Sequence, residues 1–304
     1  MEIQTQSYSS VQNSYDEAVE WLNRIGVRVN RGRLGEYRKH LDSFVLNYNG
    51  LSGAESKDQF SKTVNVMYEV DAIIHIYEAL KSSTLDQLSY IKTKLQQAVA
   101  GPLHASDENK NGNKARNYLF EIMVSAKLHA PDKGMCVDLS SKSDTEVSFL
   151  DKRFLVECKR PQSEKKIEAN FRDAVAQLIK KFKNSRKTNV RGLVAIDFSK
   201  IVNPDADLLV KDNDRELQVS SMSIIDYVIK KYSHKWQDIL SRKSKKILGV
   251  IVRASLMGVS EERNLLVNCN EWGLNPRIGC TPIESEYLRQ MVLSLDYKQR
   301  LIIT

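Results

Sequence analysis

The sequence predicts an α/β fold, with helices packed on a central mixed sheet and an α-helical N-terminal domain ahead of it. Two observations carry this. Through the first third, apolar residues recur at the spacing of amphipathic helices; beyond a polar stretch near residue 110, short apolar or alternating runs of strand length interleave with helices. The chain has 304 residues, 41% of them apolar and 28% charged. That is the balance of a globular protein in water, long enough for one large domain or two ordinary ones.

The helices of the first third can be placed individually. Ser14 with Glu17 reads as a capping box, followed by Ala18, Trp21, Leu22 and Ile25 at helical spacing. Val64, Met67, Val70, Ile73, Ile74, Tyr77 and Leu80 mark a longer amphipathic helix. Another is expected over 85–99, stopped by Gly101-Pro102, and the polar, aperiodic residues 105–114 read as a loop. The expected domains are therefore 1–110, helical, and 111–304.

In the second part, helices are expected over 116–128, 165–182 and 224–240. Strands are expected over 135–139, 144–150, 153–159, 193–198, 246–254 and 264–269. Thr281, Pro282 and Glu284 supply an N-cap, an N1 proline and a capping-box acid for a last helix through Leu295. The loosely calcium-loop-like residues Asp205, Asp207, Asn213 and Glu216 lack the central glycine, Val210 standing there, and read as a polar loop.

Several function classes are disfavoured. The longest apolar runs, such as 247–252, are too short to span a bilayer, and the polar N-terminus MEIQTQSYSS has no signal-peptide pattern, so no membrane association and a cytoplasmic location are expected. Cys136, Cys158, Cys269 and Cys280 form no CxxC pair and read as buried thiols in a reducing compartment. The five histidines show no HxH or HExxH spacing, which argues against a histidine-bound zinc.

The net charge is +8, unevenly spread: residues 1–110 hold 12 Lys/Arg against 14 Asp/Glu, and residues 111–304 hold 34 against 24. Basic runs lie at 159–191 (11 Lys/Arg against 3 acids) and 230–253 (8 against 1). Most such runs are solvated faces, but a basic field of this size favours a polyanionic partner, nucleic acid first. It predicts attraction to a phosphate backbone without base readout.

The segment with chemistry is SDTEVSFLDKRFLVECKRP, residues 143–161. Alternation along a strand puts Glu157 and Lys159 on one face and Phe154, Val156 and Cys158 on the other. A hairpin closed at Asp151-Lys152 pairs residues whose numbers add to 303, setting Asp144 opposite Lys159 and Glu146 opposite Glu157. Three acids and a lysine then share one face. Like charges placed so are destabilising unless a cation joins them, and carboxylate oxygens suit Mg²⁺. A bulge or an odd-numbered turn would send Asp144 to the other face.

The segment resembles the PD-(D/E)xK nuclease superfamily, also called the restriction-endonuclease-like fold, over residues 115–200. Glu121 stands at the helix acid, Asp144 at the motif aspartate, Glu157-Cys158-Lys159 at the Glu-x-Lys element, and Gln177 at the glutamine of the following helix. The resemblance implies a Mg²⁺-dependent nuclease, with Mn²⁺ able to substitute, and DNA rather than RNA as substrate, in restriction, defence or repair. It implies that Asp144, Glu157 and the backbone carbonyl of Cys158 bind the metal and that Lys159 handles the attacking water. Glu121 would support the metal or its water, and Gln177 would position the site. Ser143 replaces the usual proline, and Glu146 is an extra acid that could replace or join Asp144, with Asp138 a weaker competitor. Two other readings stay open: a nucleic-acid-binding module with this fold and no useful cleavage, and an interaction protein whose helical domain holds a partner or a second copy of the chain.

Overall fold

The architecture is described from a computed structural model covering residues 4–29, 32–47, 53–104, 107–108, 114–141, 143–185, 188–263, 265–295 and 300–303. Periodicity in the first part gives α1 (Tyr8–Arg24), α2 (Arg33–Asn47), α3 (Gly53–Leu80) and α4 (Leu85–Ala98), preceded by a short strand, β1 (Gln4–Ser7). Then follow α5 (Lys114–Leu128), β2 (Met135–Val137), β3 (Thr145–Phe149), β4 (Lys152–Lys159), α6 (Ile167–Asn184) and β5 (Val190–Asp197). The chain continues through α7 (Ser199–Val202), β6 (Leu209–Lys211), α8 (Asp214–Lys243), β7 (Ile247–Ser260), β8 (Leu265–Pro276), α9 (Pro282–Leu295) and β9 (Arg300–Ile303).

The strands form one mixed sheet in the order β1-β9-β8-β7-β5-β4-β3-β2, with β6 pairing the far end of β7. The neighbours β4, β5 and β7 run parallel, and α6 and α8 make the crossovers that parallel pairing requires. Alternation along β4 decides what covers each face. Phe154, Val156 and Cys158 join Phe120 and Val124 of α5 and Tyr287, Leu288 and Met291 of α9. Leu155, on the other face, joins Phe171, Val175 and Leu178 of α6 and, with Val194 and Ile196 of β5, Trp236 of α8. Gly192 of β5 lets α6 sit close, since an added Cβ would lie 2.7 Å from Phe182 Cζ. A third cluster, built mainly from α1–α4, runs on into Leu119, Ile122, Met123 and Ala126 of α5 and into Met257 and Leu266 of the sheet, so apolar packing crosses residue 110.

Helix ends explain most differences from the expected boundaries. Helix α1 starts earlier than Ser14: Ser7 is its N-cap, accepting from Ser10 N at 3.1 Å, and Ser14 and Glu17 lie within the helix. Thr84 and Gln87 form a full capping box at α4, and Thr281 and Glu284 form the expected one at α9. Asn213 caps α8 through Glu216 N, so half of the expected polar loop is a helix start. Strands β1 and β9 pair in parallel and have no counterpart in the sequence reading; residues 105–106 and 109–113 of the expected loop lie outside the described residues. The thiols of Cys158 and Cys269 are buried as expected, whereas that of Cys136 is exposed, because its side chain points away from the core on the edge strand β2.

The hairpin register differs from the expected one by two residues. Thr145 faces Val156, Glu146 faces Leu155 and Phe149 faces Lys152, so paired numbers add to 301. The turn closes one position earlier, at Leu150-Asp151, with Leu150 at φ 52° and its side chain 73% exposed. Tyr287 Oη donates to Asp151 Oδ1 at 2.7 Å, and Asn189 Nδ2 donates to the Asp151 carbonyl at 2.9 Å, fixing the turn there. A shift of two keeps every side chain on its face.

This register makes a prediction. An L-residue in the left-handed region is strained by roughly 1–2 kcal/mol, which glycine relieves at some entropic cost. Leu150→Gly is therefore expected to leave stability unchanged or raise it by up to about 1 kcal/mol in urea denaturation. A loss of that size would place Leu150 in the strand and restore the alternative register.

Candidate active site

Strand β4 ends where two helices and the start of β3 converge, and the expected residues are found there. Glu157 is only 2% exposed; its Oε1 forms an ion pair with Lys181 Nζ of α6. Two residues on, Lys159 Nζ donates to Gln177 Oε1 at 2.8 Å. Gln177 and Lys181 are one helical turn apart on α6, so one face of that helix receives both β4 side chains. Asp144, just before β3, accepts the Cys158 amide hydrogen on Oδ2 at 2.8 Å. That bond ties the entry of β3 to the exit of β4.

Glu121 approaches from α5. Its backbone carbonyl accepts from Thr145 Oγ1 at 3.1 Å, holding the helix against the start of β3, and its carboxylate pairs with Lys94 Nζ at 3.0 Å. Lys94 belongs to α4 and also donates to the Asp144 carbonyl at 3.0 Å. Lys94 and Lys181 are the contributors that the sequence did not suggest. Lys94 lies 50 residues before Asp144 in an unrelated helix, and no local pattern could have found it. Lys181 was legible in principle, being four residues after Gln177 on the same helix.

The acids act on one another. Burial, then the Asp144 carboxylate, push the Glu121 carboxyl up to about 7; Lys94 opposes this and Glu157 adds to it. Burial and Asp144 likewise raise Glu157, against the pull of Lys181 and Lys159. Burial, with Asp144, Glu121 and Glu157 nearby, holds the Cys158 thiol well above its usual value, so it is protonated and no nucleophile. Asp144, Glu121 and Glu157 thus form one electrostatic group around the end of β4.

Two expectations change. Glu146 does not join this group: in the observed register it faces Leu155, and its carboxylate is held by Arg153 Nε at 2.6 Å and Ser141 Oγ at 2.7 Å. Asp138 accepts from Ser140 N and Oγ at 2.9 and 2.6 Å in a local turn. The expected face of three acids and a lysine on the hairpin alone is therefore replaced by two hairpin acids, Asp144 and Glu157, with a third from α5. Among the described residues, no group of three or more His, Cys, Asp and Glu side chains is drawn together as a ready-made metal cluster. The donors nonetheless suit a hard divalent cation: Mg²⁺ needs only one or two carboxylates and takes its other oxygens from water and phosphate. Two acids with raised affinity for protons are also the groups that a divalent charge would stabilise.

The Glu121 shift has a consequence for stability. A carboxyl whose folded pKa lies above its unfolded value stabilises the fold fully below the unfolded value, and that contribution is lost as pH rises through the folded value. For Glu121 the window runs from 4.5 to about 7. In EDTA, the chain is expected to lose on the order of 2 kcal/mol across this window relative to Glu121→Gln, read as a divergence of the two melting-temperature profiles. Parallel profiles would contradict the shift.

The chain was compared with family models, with curated proteins and with solved structures, and none of these matches it.

Proposed function

We propose that the chain is a metal-dependent nuclease of the PD-(D/E)xK type, with a restriction-endonuclease-like core built on α5, β3, β4, α6 and β5. The observation that carries this reading is the convergence of Asp144, Glu157 and Glu121 on the end of β4, beside a lysine, Lys159, held by Gln177. Support also comes from the element order and from the parallel β4–α6–β5 unit. The chemistry follows from the side chains. Asp144, Glu157 and the Cys158 carbonyl would hold Mg²⁺ or Mn²⁺, with Glu121 behind them. When bound, such an ion supplies charge to polarise a phosphoryl group and to lower the pKa of a water.

Lys159 would hold the attacking water and the negative charge that builds on the phosphoryl oxygens, and Gln177 fixes its ammonium in place. Glu121, with its carboxyl near 7, can exchange a proton with that water at neutral pH. Lys94 and Lys181 pair with Glu121 and Glu157 in the protein alone; with those acids otherwise engaged, the two lysines would be free to meet the phosphate backbone. Exposed lysines of α6, among them Lys180 and Lys183, extend that basic surface. DNA is the proposed substrate. No helix among the described residues is long and apolar enough to cross a membrane.

A second reading is a nucleic-acid-binding module without cleavage. It is favoured by one observation: Glu157 and Glu121 already have lysine partners. Linear and circular duplex DNA, single-stranded DNA and RNA, each with Mg²⁺, Mn²⁺ or EDTA, separate the two. Cleavage of DNA is expected with metal only. Asp144→Ala, Glu157→Ala and Lys159→Ala should each lower it by at least about 100-fold. Gln177→Ala, which only loosens Lys159, should cost about ten-fold. Salt-sensitive binding without cleavage under any condition would replace the nuclease by the binding module.

A further inference from the structure

A second polar feature lies on the opposite side of the same strand ends. Lys159 turns to Gln177 on α6, but the next side chain, Arg160, turns the other way. It enters a cavity roofed by α3 and α5 and floored by β7. The cavity sits at the carboxyl ends of the parallel strands β4, β5 and β7, the place where open α/β sheets bind ligands. Its volume is about 80 Å³. One water needs roughly 10–15 Å³, so there is room for a group of several heavy atoms.

The charged side chains around it are mainly positive. Arg116, Arg160, Lys200 and Arg253 line the cavity against Glu69 and Asp197, four positive side chains to two negative. Further charged side chains stand behind them. Arg33 pairs with Glu69 at 3.0 Å, and Glu108 pairs with Arg160 at 2.7 Å and lies 3.7 Å from Arg116. Among the described residues named here, positive side chains outnumber negative ones by two. Asp197 Oδ2 accepts from Arg253 Nη1 at 3.1 Å, and Arg253 Nε donates to Asn270 Oδ1 at 2.9 Å, so the Arg253 guanidinium is held rigidly at the floor.

One group there is unused. Ser255, beyond Arg253 on the same face of β7, is 7% exposed and lines the cavity, and its Oγ has no hydrogen-bond partner. Its backbone amide is already taken by Ser199 Oγ at 2.8 Å, so the hydroxyl alone is left to serve a ligand. Apolar side chains, Leu119, Met123 and Met257 among them, close the rest of the wall. Arginines in a fixed fork, a spare hydroxyl and a lining richer in positive than in negative side chains match a phosphate group, which carries about −1.5 to −2 at neutral pH.

We propose that this cavity is a binding site for a phosphate group, free or as the end of a nucleoside phosphate, held by Arg253, Arg116, Arg160 and Ser255 Oγ. The site is separate from the candidate active site and does not rest on the nuclease reading. Occupancy would join the roof helix α5 to the sheet through a shared anion.

The test is calorimetric titration of the full chain in EDTA at constant ionic strength, with inorganic phosphate and with deoxyadenosine 5′-monophosphate. Saturable binding of one ligand per chain is expected. Ser255→Ala should keep the wild-type melting temperature, since it removes only an unpartnered hydroxyl, and should bind about ten-fold more weakly. Lys200→Ala, at the more open rim, should also weaken binding, whereas Lys159→Ala should not change it. Tighter binding of the nucleotide than of phosphate assigns the site to a nucleoside phosphate; equal or weaker binding assigns it to free phosphate. Absence of saturable binding for both ligands overturns the proposal. So does binding that survives in Ser255→Ala and is lost in Lys159→Ala, which would place the anion at the candidate active site.

Discussion

Strand β4 is covered on both faces, and this constraint decides which of its side chains can be polar. Phe154, Val156 and Cys158 fill the space under α5 and α9, and Leu155 fills that under α6. An acid can follow only where the strand leaves the layer of helices, and only with a partner at hand. Glu157 meets both conditions: it is buried, yet it faces the end of the sheet with Lys181 against it. The same geometry projects Lys159 one step further out to Gln177 and sends Arg160 to the other side. The end of β4 thus distributes three charged side chains, Glu157, Lys159 and Arg160, over two faces of the sheet.

The second determinant is that the acids come from three places. Asp144 is held by the Cys158 amide, Glu157 by the packing of β4, and Glu121 by the bond between its carbonyl and Thr145. None can move far from the others without breaking a backbone contact. Their repulsion is therefore built into the fold and adds to burial, the larger cause, in raising the proton affinity of Glu121 and Glu157. Lys94 offsets part of it from α4, which makes the helical first part of the chain a contributor to the site as well as a cover for the sheet.

Much of this was legible in the sequence wherever the signal is local. Alternation in residues 153–159 identified the two faces of β4, and periodicity placed a helix between that strand and the next. Register was not legible, because it depends on a turn held by Tyr287 and Asn189, far along the chain, and on a leucine in a conformation usually left to glycine. Ser14 and Glu17 mimicked a helix start although Ser7 provides it, since a capping box specifies only two residues and a helix interior can contain the same two at the same spacing. The basic run 230–253 read as a solvated face with attraction to phosphate as a second use, and its lysines on α8 are at least partly exposed. Arg253 instead lies buried against Asp197, a pairing across 56 residues that only the sheet reveals. Strands β1 and β9 escaped notice because each is four residues long and gains its meaning from the other.

The proposed seat for a divalent cation is built from Asp144 and Glu157, with Glu121 behind them. It is tested most directly by titrating Mn²⁺ into the protein near pH 7, without nucleic acid, by calorimetry in buffers of different ionisation enthalpy. The account predicts one bound ion per chain. Release of a fraction of a proton should accompany it, since Glu121 is about half protonated there and must ionise as the cation arrives. Binding should be lost in Asp144→Asn and Glu157→Gln, and proton release, though not binding, in Glu121→Gln. Absence of Mn²⁺ binding, or binding indifferent to both Asp144→Asn and Glu157→Gln, would contradict it.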